Sequence, residues 1–74
     1  MNGDGLTRTQ RMILQAIRDF IAAHGYPPTM REVGVAADLS SVSSVFYQLS
    51  VLQHAGYVRW IPNRYRTLEL VPDS

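Results

Sequence analysis

The stretch TMREVGVAADLSSVSSVFYQLSVLQ, residues 29–53, decides the fold of this chain. Thr29 and Glu32 form a T-x-x-E capping box, a pattern that satisfies the free N–H groups at a helix start. Met30, Val33, Ala36 and Ala37 then give a short helix its apolar face. Asp38 and Leu39 leave room only for a tight connection. Ser40 or Ser41 caps a third helix that runs to about Ala55, since serine oxygens accept from the first free N–H groups. Val45, Leu49 and Leu52 recur at helical spacing, with Val42 one turn earlier, and Gly56 supplies the stop. Two helices across so short a turn form a helix-turn-helix.

Working outward, residues 6–24 read as a first helix. Ile13, Leu14, Ile17, Phe20 and Ile21 face one way, and Arg8, Arg11, Gln15 and Arg18 face the other. Thr7 and Gln10 form a second capping box, T-x-x-Q, and Gly25 follows the last turn. Tyr26, Pro27 and Pro28 hold the link extended. Beyond Gly56 the period changes. Residues 57–61 and 67–71 are rich in β-branched and aromatic residues, and Pro62, Asn63 and Arg64 separate them, which predicts a hairpin. The expected fold is mostly α with a small β-hairpin (α+β): a three-helix winged helix-turn-helix over residues 6–71, a flexible start at 1–5 and a tail at 72–74.

Composition narrows the function. The chain has 74 residues, a formal net charge of +1 and no cysteine. Disulfides and thiolate metal sites are therefore absent, and the lack of cysteine fits a reducing, cytoplasmic setting. No apolar run approaches the ~20 residues of a membrane span. All seven basic residues are arginine. The first 39 residues balance four arginines with four acids, whereas residues 40–68 hold Arg59, Arg64 and Arg66 and no acid. An acid-free segment approaches a polyanion without repulsion. His24 and His54 end different helices with no ligand or carboxylate at metal spacing, and the serines have no neighbouring general base. No enzyme, metal or cofactor is expected.

The third helix is the candidate recognition helix, with its N-terminal residues at base edges in a major groove. Ser43, Ser44, Tyr47 and Gln48 point partly or fully outward, and Phe46 lies near the boundary. Serine bonds several base edges, glutamine pairs with adenine, and aromatic rings pack on a thymine methyl. Asn63, Arg64 and Arg66 at the hairpin tip, and Thr29 and Arg31 at the second helix start, are candidate backbone contacts.

Together, L-T-x-x-Q, G-Y-P-P-T-x-R-E, S-S-V-x-x-Q-L and G-Y-x-R-x-x-P-N-R-x-R, in this order, resemble the N-terminal DNA-binding domain of the LexA repressor family. The resemblance runs from Leu6 to about Leu70. It implies a winged helix-turn-helix that reads palindromic operators in bacteria as a dimer. It places base contacts on Ser41, Ser43, Ser44, Phe46 and Tyr47, and a wing contact around Asn63, Arg64 and Arg66. Family members continue into a self-cleaving peptidase domain with a serine–lysine dyad, and this sequence has no lysine. Asp38 stands where relatives usually have glycine, and Phe46 and Tyr47 replace small or polar residues. Trp60, Ile61 and Tyr65 either form an apolar patch for a homodimer or partner protein, or Trp60 packs inward against the first helix. The expected function is sequence-specific binding of double-stranded DNA by a transcriptional regulator. The alternative is a winged-helix protein-interaction module.

Overall fold

The structure, a computed structural model, describes residues 5–72. The expected flexible start and C-terminal tail fall largely outside those residues. Three helices, α1 (Arg8–His24), α2 (Met30–Ala36) and α3 (Val42–His54), are followed by β1 (Val58–Arg59) and β2 (Glu69–Leu70). The strands pair antiparallel, Val58 opposite Leu70 and Arg59 opposite Glu69.

Local chemistry sets the helix boundaries. Both predicted capping boxes form: the hydroxyls of Thr7 and Thr29 accept the backbone N–H groups of Gln10 and Glu32, and those side chains accept in return. Ser41, rather than Ser40, caps α3 by accepting the Ser44 N–H at 3.1 Å. Gly25 closes α1 in the left-handed region at φ 79°.

The turn between α2 and α3 is a Schellman ending built on aspartate. Asp38 sits at φ 61°. Its N–H donates to the Val35 carbonyl at 3.2 Å, and the Leu39 N–H reaches back to the Gly34 carbonyl at 2.8 Å. Such an ending normally uses glycine, because a Cβ is crowded there, and aspartate is among the few residues that tolerate it. Gly56 ends α3 by the same bonding, with the Tyr57 N–H on the Leu52 carbonyl at 2.9 Å.

The core draws on all three helices and β1. Ile13 and Ile17 of α1, Val33 of α2, Val45, Leu49 and Leu52 of α3, and Val58 of β1 are all 0–1% exposed. Val42 does not join them. It is 51% exposed, so the buried stripe of α3 begins at Val45. Three residues before Val45, it lies about 60° to the side of that stripe at 3.6 residues per turn.

The strands are shorter than the sequence suggests. Beyond Arg59 the ladder is replaced by one side chain: the Ile61 N–H donates to the Thr67 hydroxyl at 2.9 Å, and that hydroxyl lies 3.3 Å from the Ile61 carbonyl. Asn63 and Arg66 sit at φ 63° and 54°, turning the tip out of extended geometry.

Helices α2 and α3 approach each other closely at Gly34. A Cβ on Gly34 would lie 2.7 Å from Cγ2 of Val45, which is stiff and buried. Alanine at this position gains up to about 1 kcal/mol of helix propensity. Overpacking costs about 1–3 kcal/mol. Gly34→Ala is therefore expected to destabilise the domain, read as a lower urea midpoint at unchanged m-value. An equal or higher midpoint would show that α2 and α3 are not this close.

Candidate nucleic-acid interface

With Val45, Leu49 and Leu52 docked, α3 presents an uncharged face to solvent. Ser41, Ser43, Ser44, Phe46 and Tyr47 are exposed, and Gln48 is half-buried. Ser43 and Tyr47 lie opposite the buried stripe. Ser41 and Ser44 are linked to each other, Oγ to Oγ, at 3.1 Å. Gln48 is engaged within the protein: its side-chain oxygen accepts from Nε2 of Gln10 at 3.2 Å. Gln10 Oε1 meanwhile accepts the Thr7 N–H at 3.0 Å, so one side chain starts α1 and steadies α3.

Phe46 lies on the wing side of α3. It is 52% exposed, and its ring meets Trp60 edge-on, with centroids 6.1 Å apart and planes at 68°. Trp60 itself packs partly into the core. Of the two sequence readings, its inward side is therefore occupied by the core and Phe46. Ile61 and Tyr65 remain 57% and 76% exposed. Phe46, Trp60, Ile61 and Tyr65 line one open groove of about 590 Å³ between the start of α2, Phe46 of α3 and the wing, and Asn63 and Arg64 are part of its lining.

The arginines divide by role. Arg31 and Arg64 are exposed. Arg59 pairs with Glu69 across the strands at 3.1 Å in an exposed bridge, of a kind that contributes little. Arg66, expected at the DNA backbone, is turned inward. Its guanidinium bonds Glu32 at 2.9 and 3.3 Å and the Pro27 carbonyl at 3.0 Å. It also lies over the rings of Tyr26 at 4.8 Å, Tyr65 at 5.0 Å and Phe20 at 5.8 Å, a cation–π arrangement. Arg66 thus latches the wing to the start of α2. Thr29, the other residue expected at that end, is committed to the capping box with Glu32.

Glu32 was visible as a capping residue but not as the anchor of the wing, because Arg66 is 34 positions away. The Arg66 hydrogen bond, then the Thr29 backbone bond, hold the Glu32 carboxyl below its ordinary value of 4.5. A depressed carboxyl stabilises the fold above its unfolded pKa, and that contribution is lost as pH falls through the folded value. Arg66→Ala is therefore expected to lower the urea midpoint at about pH 7. The gap to the unsubstituted chain is expected to close as acid protonates Glu32. A gap independent of pH would separate Arg66 from that carboxylate.

Three helices, a turn held by Asp38 and an adjoining hairpin define a winged helix-turn-helix domain. The family model described as the LexA DNA binding domain matches residues 3–67, and the chain belongs to that family. Among its relatives, a LexA repressor of Acidothermus cellulolyticus is 51% identical over 76 aligned residues, covering 95% of this chain. LexA repressors of a Parafrankia species and of Streptomyces coelicolor are each 46% identical, covering 96% and 93% of this chain. The chain spans 28–30% of the length of these relatives. No helix among the described residues is long and apolar enough to cross a membrane.

Proposed function

We propose that this chain is the operator-reading module of a transcriptional repressor and binds double-stranded DNA in a sequence-specific way. The observation that carries the reading is the charge-free exposed face of α3, held on a LexA-family DNA-binding fold beside a wing that carries Arg64. The helix enters the major groove, and Ser41, Ser43, Ser44, Phe46 and Tyr47 meet base edges. Gln48 reaches a base only by exchanging its bond to Gln10. Arg31, Asn63 and Arg64 meet phosphates, with Thr29 beside them. Arg66 acts differently from the other arginines: it positions the wing through Glu32.

A single domain of this size makes few phosphate contacts, so useful affinity calls for two copies on a palindromic site. Exposed Ile61 and Tyr65 give the wing an apolar shoulder that suits such a contact. A cytoplasmic, nucleoid-associated setting suits such a regulator, and the bacterial source of its relatives supports that reading. The protein-interaction alternative would use the same shoulder without reading DNA.

Binding to a family-type palindrome and to a scrambled duplex, titrated over a range of salt with light scattering for mass, separates these readings. Clear preference for the palindrome is expected. Equal affinity for both duplexes, or no binding, overturns the sequence-specific reading.

The arginines give a sharper test. Each cation on a phosphate contributes about 0.9 to the log–log salt slope. Arg64→Ala is expected to flatten the slope by about that amount and to weaken all duplexes alike. Arg66→Ala is expected to weaken binding with the slope unchanged, since its charge is already matched by Glu32. A flattened slope for Arg66→Ala would return it to the phosphate backbone.

A further inference from the structure

We propose that Trp60 is a positioning residue that braces Phe46 as a fixed apolar edge against a thymine 5-methyl group in the major groove. The inference rests on the DNA-binding reading above and assigns the chemistry of one contact within it.

Phe46 carries no hydrogen-bonding group, so it cannot read a donor or an acceptor. The thymine methyl is the one apolar feature that a base pair presents in the major groove. Phe46 sits on the outward half of α3, between the reading face of Ser43 and Tyr47 and the wing. Half of its surface is open, yet its ring is held edge-on by Trp60. Trp60 is in turn anchored against the buried core. The ring is therefore ordered before any ligand arrives, which removes part of the entropic cost of contact.

The surroundings favour DNA over a protein segment as the occupant of this edge. No acidic residue lines the groove that Phe46 and Trp60 share, and Arg64 is part of its lining. A phosphate-bearing strand thus meets a matching charge beside the apolar ring. The same brace ties α3 to the wing, so the base contact and the backbone contact are set by one rigid unit.

Replacing thymine by deoxyuridine removes one methyl and leaves every hydrogen-bonding group in place. The experiment takes a duplex selected for tight binding from a random pool and replaces its thymines one at a time. With the unsubstituted chain, one position in each half-site is expected to weaken binding about fourfold, the worth of one buried methyl group. In Phe46→Ala that position is expected to lose its thymine preference, while any preference at other positions persists. Trp60→Leu is expected to shrink the same preference without abolishing binding. Thermal melts followed by circular dichroism check that both variants fold, and the arm with the unsubstituted chain needs neither.

Selective binding with no deoxyuridine-sensitive position, or a sensitive position whose penalty survives in Phe46→Ala, overturns the proposal and leaves the DNA-binding reading standing. An undiminished preference in Trp60→Leu removes Trp60 from the contact. No selective binding to any duplex fails the DNA-binding reading itself.

Discussion

Everything outward of α2 depends on how closely that helix meets α3. Gly34 lets the Val45 side chain approach its backbone, so that side chain alone separates the two helices at this point. Val45 then starts the buried stripe that Leu49 and Leu52 continue. Their burial fixes the rotation of α3 about its axis, and that rotation decides which residues face outward. A residue of different volume at either contact would turn Ser43 and Tyr47 away from their present direction. The direction of the outward-facing residues is thus set from the inside, by packing, before any surface residue is considered.

Two side chains extend this order to the rest of the domain. Gln10 and Glu32 occupy the same place in two capping boxes. Each satisfies its own helix start and also holds a distant element: Gln10 holds Gln48 on α3, and Glu32 holds Arg66 on the wing. Both act through polar bonds at partly covered sites, where they fix geometry more than they add stability. The wing needs such a tie, because its ladder joins only two residue pairs.

Much of this was legible in the sequence for local reasons. Capping boxes, glycine stops and the spacing of Val45, Leu49 and Leu52 each act within a few residues, so pattern alone locates the helices. The features that pattern does not show are those that depend on distant partners. Arg66 looks like an exposed wing cation until Glu32 and the rings of Phe20, Tyr26 and Tyr65 come together around it. Gln48 looks free until Gln10 is brought beside it. The strands read too long because β-branched composition does not reveal that the Thr67 hydroxyl replaces a backbone partner. Val42 shows the limit of periodicity itself: an apolar residue on the flank of a stripe is not distinguished from one within it.

The double duty of Glu32 has an evolutionary side. One carboxylate serves both a helix start and a wing latch, so positions 32 and 66 are not free to drift separately. Losing the arginine leaves an acid without its cation, and losing the acid loosens a helix end and a hairpin in one step. Neutral change at either place is therefore narrow, and paired replacement, or a wing rebuilt around another cation, is the open path. Arg64, whose side chain holds no such tie, is where a lineage is free to alter the wing tip without disturbing the scaffold beneath it, whereas Asn63 is held to few residue types by its φ of 63°.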